Sequence, residues 1–164
     1  MTVHSTDDGA RIVTYRPELR EAFESLNRVW LEAHGLLEPA DVEYLGDPEG
    51  LIVATGGQVF FALDGERVIG TCAAIRISDA TYELAKLSVD PAAQGRGLGR
   101  RLCQVVMQFA RDAGAATMFL TSHVALTQAI RLYESLGFRH EPMPIDVRYA
   151  TANVYMTLSL AAPD

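Results

Sequence analysis

Three strand-like segments lie close together in the middle of the chain, and they limit the fold more than any other feature. Residues 58–63, 68–76 and 82–89 are rich in β-branched, aromatic and other apolar residues. Asp64-Gly65, between the first two segments, is one of the strongest short signals for a β-hairpin. We therefore predict an antiparallel meander of three strands.

Apolar residues recur at helical spacing on both sides of this meander. Leu19, Phe23 and Trp30 follow Pro17 and precede Gly35, which predicts a helix that ends at that glycine. Further helices are predicted over 39–45, 98–113 and 129–136, and further strands over 12–15, 117–121, near 138 and over 154–160. Residues 51–54 are predicted as either a strand or a loop. Together these elements predict a single mixed α/β domain over residues 1–164, with a flexible segment at 1–10.

Charge and composition narrow the classes of partner. The chain has 164 residues with 14 Lys and Arg against 21 Asp and Glu, a net charge of −7, which disfavours a nucleic-acid partner because phosphates are bound by positive charge. Residues 1–10 are polar and no segment approaches the roughly 20 apolar residues of a membrane span, so we expect no membrane association. Cys72 and Cys103 fit no Cys-x-x-Cys or metal-ligand spacing, and two free thiols are typical of a reducing compartment. We expect a cytoplasmic protein without a bound metal.

Three glycines occupy alternate positions directly before the helix predicted over 98–113. Gly95, Gly97 and Gly99 allow backbone conformations and close approaches that other residues do not. The N–H groups at the start of a helix bind anions, and Arg96 and Arg100 add positive charge to the same turn. This loop predicts a binding site for a pyrophosphate group.

Two common nucleotide-binding motifs do not match the loop. A Walker loop ends in Gly-Lys-Ser/Thr, whereas this loop ends in Gly99-Arg100-Arg101. The dinucleotide fingerprint needs a glycine where Arg100 stands. Taken alone, the loop could also be a glycine-rich connection between a strand and a helix that binds no ligand.

The surrounding sequence resembles the GCN5-related N-acetyltransferase (GNAT) family. The resemblance is carried by residues 82–91, by the loop Gln94-x-x-Gly97-x-Gly99 and by residues 132–138, and it spans about 58–139. It implies an α/β (α+β) fold in which a mixed, mostly antiparallel sheet is covered by helices on both faces. It also implies that the loop holds the pyrophosphate of acetyl coenzyme A (acetyl-CoA).

The resemblance implies the following contacts with acetyl-CoA. The cofactor-binding residues that it implies are Leu87, Val89, Gln94, Gly95, Arg96, Gly97, Leu98, Gly99 and Arg100. A main-chain N–H near Val89, where the third strand of the meander separates from the next strand, would stabilise negative charge on the thioester oxygen. The family often has an asparagine seven residues before the tyrosine that is Tyr133 here, whereas this chain has Leu126.

The resemblance also gives two side chains a catalytic role. Glu83 stands where the family commonly has a glutamate that removes a proton from the amine, directly or through water. Alternatively, Glu83 is a structural carboxylate paired with Lys86. Tyr133 matches the phenol that protonates the departing thiolate. Alternatively, Tyr133 only packs in the core.

These features predict an N-acetyltransferase that moves an acetyl group from acetyl-CoA to a primary amine of a small molecule or an amino acid by direct attack. Two alternatives stay open. The chain could bind an acyl-CoA as a sensor or regulatory module without turnover, or it could use another acyl-CoA. Trp30, Glu32 and His34, at the end of the first helix, are candidates for lining the acceptor pocket, although a tryptophan is more often a core residue. A homodimer is one assembly that this interpretation allows.

Overall fold

A computed structural model describes residues 4–5 (backbone only), 9–146 and 149–161. The described helices are α1 (Arg20–Ala33), α2 (Pro39–Gly46), α3 (Leu98–Asp112) and α4 (Thr127–Ser135). The described strands are β1 (His4–Ser5), β2 (Arg11–Thr14), β3 (Gln58–Asp64), β4 (Arg67–Arg76), β5 (Thr81–Val89), β6 (Thr117–Ser122), β7 (Arg139–His140) and β8 (Val154–Ser159). Short 3₁₀ turns cover Pro17–Leu19 and Pro91–Ala93.

The described strands form one sheet in the order β1-β2-β3-β4-β5-β6-β8-β7. Neighbouring strands are antiparallel except β5 and β6, which are parallel. A parallel pair needs a crossover connection, and α3 with the loop before it provides that connection. The predicted meander is confirmed as β3, β4 and β5, with Gly65 in the left-handed conformation at the first turn (φ 63°).

Helices cover both faces of the sheet, as the resemblance implies. On one face, Phe60 and Leu84 of the sheet pack in the same core cluster as Leu102 of α3 and Tyr133 of α4. The other face has a separate cluster in which Phe23 of α1 packs with neighbouring strand residues. β3 is buried almost throughout because its successive side chains enter the two clusters in turn. The site described below lies where the sheet separates between these two layers.

One local prediction needs correction. Residues 51–54 are neither strand nor loop, because Glu49–Val53 form a single π-helical turn whose Ile52 is fully buried. Within the segment 1–10 that was predicted to be flexible, His4–Ser5 pair with Ile12 and Arg11 of β2. Residues 1–3 and 6–8 lie outside the described residues.

Candidate functional site

A cavity of about 750 Å³ opens where β5 and β6 separate. The two strands pair only from Thr81 with Thr117 to Glu83 with Phe119, although β5 continues to Val89. The strands therefore separate directly after Glu83, earlier than the position near Val89 that the family resemblance implies. The open edges let side chains from both faces of the sheet line a single cavity.

The glycine loop forms one end of this cavity. Gly95 and Gly97 have positive φ values of 82° and 76°. Residues other than glycine are strained in this left-handed conformation. Gly97 is the N-cap residue of α3, and no side chain caps the helix there. The N–H groups of the first turn of α3 lack partners within the helix, and together with the helix dipole they form an anion site.

The structure brings most of the predicted cofactor-binding residues to the cavity. Those that line it are Leu87, Val89, Gln94, Gly95, Gly97, Leu98, Gly99 and Arg100. Arg96 is not among the lining residues, and its guanidinium pairs instead with Asp64 on β3 at 3.6 Å. The loop thus has the uncapped amides and the positive charge that a diphosphate requires, so these residues could hold acetyl-CoA.

Gly99 lies where the start of α3 packs against α4. A Cβ atom added at Gly99 would lie 3.2 Å from Cδ2 of Leu132, closer than ordinary van der Waals contact. A side chain at this position would therefore require the Leu132 side chain to shift by a few tenths of an ångström. Arg100 follows on α3 and donates a hydrogen bond to the hydroxyl of Ser135 on α4. The two helices thus hold the cavity end in a fixed shape.

A β-bulge bends β5 beside the cavity. Thr71 pairs with Ser88 and Ala73 with Ala85, so Lys86 and Leu87 together face the single residue Cys72. The ammonium of Lys86 pairs with Asp41 on α2. Lys86 thus has an ion-pair partner on α2 that the sequence did not indicate.

The end of β5 is held by α1. The N–H of Asp90 donates to Ile69 O on β4, so the backbone groups of Val89 face the opposite way, into the separation between β5 and β6. There the Val89 carbonyl accepts a hydrogen bond of 2.9 Å from the indole N–H of Trp30. The hydroxyl of Ser88 donates to Leu26 O at 2.7 Å. Trp30 is half-buried and lines the cavity, so it is not the core residue that its type suggested.

Glu83 is buried at the point where the strands separate. Its side chain is 2% exposed and lines the cavity. Its neighbours Tyr82 and Leu84 belong to the core under α3, so alternation along the strand directs Glu83 to the face of α1 and α2. This carboxylate therefore enters the cavity from the α1 and α2 side.

Tyr133 reaches the cavity from the opposite layer. It is 7% exposed on α4 and packs edge to face with Phe138, with ring centroids 6.0 Å apart. Burial raises the pKa of its phenol well above the usual 10.0, and the nearby thiols of Cys103 and Cys72 raise it further. Burial and Cys103 likewise raise the pKa of the Cys72 thiol. At neutral pH, Tyr133 therefore carries its proton.

The wall opposite β5 includes a set of contacts that the sequence did not indicate. The carboxylate of Glu38, before α2, accepts hydrogen bonds from Ala150 N at 2.8 Å and from Thr151 N at 3.1 Å, and also from the Thr151 hydroxyl. Tyr149, Thr151 and Ala152 then line the cavity. At the start of α4, Leu126 lines the cavity in place of an asparagine, and no side chain caps that helix.

Comparison with known proteins places these features in a family. Residues 18–138 match the Acetyltransferase (GNAT) family. Human N-acetylaspartate synthetase is 34% identical over 138 residues, which cover 82% of this chain and 42% of that protein. Human N-acetyltransferase 8B is 39% identical over 90 residues, which cover 51% of this chain and 39% of that protein. The chain thus covers less than half the length of these curated relatives.

Solved structures share the fold. A GNAT-family acetyltransferase from Staphylococcus aureus Mu50 superposes with a TM-score of 0.85 at 19% identity, over 93% of this chain and all of that one. The yncA protein of Salmonella typhimurium, solved with acetyl-CoA, gives a TM-score of 0.73 at 24% identity, over 100% of this chain and 99% of that one. None of the described helices is long and apolar enough to span a bilayer.

Proposed function

This chain belongs to the GNAT acetyltransferase family, and from that premise we propose that it transfers an acetyl group from acetyl-CoA to a primary amine of a small molecule or an amino acid. One observation carries the proposal. A single cavity contains an uncapped glycine-rich helix start, a buried carboxylate from one layer and a protonated phenol from the other. The first can bind the diphosphate of the donor, and a carboxylate and a phenol can act as the base and the acid that accelerate acyl transfer to an amine.

The glycine loop would hold the donor. Gln94, Gly95, Gly97 and the first turn of α3 would bind the diphosphate through backbone N–H groups, with Arg100 adding positive charge. Leu87 and Val89 would contact the arm of the donor from the edge of β5. Acetyl-CoA supplies the acetyl group as a thioester. The Val89 N–H, which faces the separation between β5 and β6, would stabilise negative charge on the thioester oxygen.

The two side chains would each move one proton. An aliphatic ammonium has a pKa near ~10, so most of the acceptor is charged at neutral pH and must lose a proton before it attacks. Glu83 would accept that proton, directly or through water. Tyr133 would give its proton to the departing thiolate, whose ordinary pKa is about 8.5, and would regain a proton when the attacking nitrogen loses its second proton as the amide forms. Because the pKa of Tyr133 is raised, the proton is present throughout the pH range in which the amine becomes reactive.

The setting of the reaction is part of the same proposal. We place the protein in the cytoplasm as one acetyltransferase domain, because Cys72 and Cys103 are both buried free thiols. Its net charge of −7 disfavours a nucleic-acid partner. The acceptor would enter between the helical layer of α1 and α2 and the segment that carries Tyr149.

Two linked assays test the function. Acetyl-CoA at about 100 times its Kd should stabilise the protein by ~2.7 kcal/mol, which raises the Tm by roughly 5–10 °C for a chain of this size. Propionyl-CoA, succinyl-CoA and free CoA in the same screen report which acyl group is preferred. A thiol-release assay with monoamines, diamines and amino acids then tests turnover. If acetyl-CoA raises the Tm but no amine in the panel supports thiol release, the sensor alternative is favoured.

A further inference from the structure

Lys86 has a backbone conformation that its residue type does not favour. Among the described residues it is the only one other than glycine with a positive φ, 57°. This left-handed region brings Cβ of an L-residue too close to its own backbone. Lys86 also lies in the bulge that bends β5 at the cavity. The contacts made by its side chain are one source of energy that offsets this strain.

Those contacts bury the ammonium of Lys86 between α2 and the cavity wall opposite β5. It pairs with the carboxylate of Asp41, and the two side chains are only 6% and 5% exposed. It also donates to the phenol oxygen of Tyr149 at 3.1 Å. The rings of Tyr149 and Tyr44 lie with their centroids 4.8 and 5.8 Å from the ammonium, within cation–π distance.

The same turn of α2 holds the wall at a second place. Asp41 accepts the N–H of Glu38 at 2.9 Å, which fixes the start of α2. Glu38 in turn accepts the hydrogen bonds of Ala150 and Thr151 described above. One cluster of charges therefore connects three parts of the site: the bulge of β5, the start of α2 and the segment 149–152, which we call the acceptor wall.

We propose that Lys86 is a positioning residue that ties the bulge of β5 to the acceptor wall. One buried ion pair then sets both the course of β5 and the width of the cavity beside that wall. The ammonium is already paired with Asp41, so its role is to hold the wall rather than to bind the acceptor. The glycine loop lies at the other end of the cavity and is not part of this tie. The inference rests on the proposed function only for its effect on turnover.

A double-mutant cycle tests the tie. Lys86→Met and Asp41→Asn should each lower the Tm, because each leaves one buried charged or polar partner without its counterpart. The double variant should recover much of that Tm, since neither charge is left unpaired. If the pair were only structural, activity would recover with stability. We instead expect the double variant to keep an acceptor KM at least tenfold above that of the parent, with the Kd for acetyl-CoA within about threefold.

Amide hydrogen exchange tests the tie without any need for turnover. Peptides that cover residues 149–152 should exchange at least tenfold faster in the double variant than in the parent, whereas peptides of α3 should not change. Arg76→Met, which removes one partner of the exposed Arg76–Asp79 pair, is the matched control and should change neither exchange of the wall nor acceptor KM.

The two readouts separate failure of the tie from failure of the function. A double variant with the exchange rates of the parent overturns the tie, and so does one that combines faster exchange with the acceptor KM of the parent. A parent protein that acetylates no amine contradicts the proposed function, and the exchange rates then still confirm or overturn the tie by themselves. Lys86→Gly should also be more stable than Lys86→Ala, the reverse of the usual order in a strand, if φ is strained.

Discussion

Two substitutions of Gly97 separate the effect of backbone strain in the glycine loop from the effect of an added negative charge. At φ 76°, any side chain on Gly97 should cost roughly 1–2 kcal/mol of stability, which lowers the Tm by about 2–8 °C in a chain of this length. Gly97→Ala carries this cost alone. Gly97→Glu adds a carboxylate at the start of α3, where a negative charge stabilises a helix by about 0.3–1 kcal/mol. The glutamate variant should therefore be slightly more stable than the alanine variant.

The order of the two variants should reverse for binding. A carboxylate beside a diphosphate repels it by roughly 1–4 kcal/mol, depending on the local dielectric, which raises the Kd about 5- to 1000-fold. Calorimetric titration with acetyl-CoA measures this directly. Gly114→Ala is the matched control, because Gly114 also has a positive φ, 87°, with nothing within 4 Å of an added Cβ, but lies at the other end of α3. A folded Gly97→Glu protein that binds as tightly as Gly97→Ala would refute the diphosphate assignment.

Three further perturbations follow from the site. Glu83→Gln should lower turnover most near neutral pH and recover at high pH, where more free amine is present, so superimposable pH–rate profiles would leave Glu83 only a structural role. Because Trp30 is the only tryptophan and donates to Val89 O, saturation with acetyl-CoA should change indole emission, and an unchanged spectrum would place the arm of the donor elsewhere. Burial acts to raise the pKa of Glu38, but hydrogen bonds from Thr151 and its neighbour lower it overall. The parent should therefore have a larger free energy of unfolding than Glu38→Gln above pH 4.5, the ordinary pKa, and this difference should disappear as the pH falls through the lowered pKa. A difference that stays constant from pH 7 to pH 3 would contradict this.

Local sequence patterns predicted the secondary structure around the glycine loop. The glycine loop, the helix after it and the ends of α1 and α3 all depend on neighbouring residues, whose spacing and glycine content are visible in the sequence. Family resemblance added Glu83 and Tyr133, and the structure places both at the cavity. Their roles stay predictions until they are tested.

The acceptor end could not be predicted because its contacts join distant parts of the chain. Lys86 and Asp41 are 45 residues apart, Trp30 and Val89 are 59 apart, and Glu38 and Thr151 are 113 apart. The spacing of residues within a short segment does not predict such pairs. The bulge that turns Lys86 toward α2 also breaks the alternation from which side-chain direction is inferred along a strand.

Transfer of a labelled acetyl group tests the central claim most directly. Acetyl-CoA labelled with ¹³C in the acetyl group is mixed with an amine that supports thiol release in the assay described above. The products formed by the parent protein and by Tyr133→Phe are then followed by mass spectrometry. We predict that the label moves to the amine nitrogen with one thiol released per amide formed, and that Tyr133→Phe slows this by about 10²- to 10⁴-fold with little change in the Kd for acetyl-CoA. Label that stays on CoA, or appears only as acetate while the amine is unchanged, would contradict acetyl transfer in this cavity.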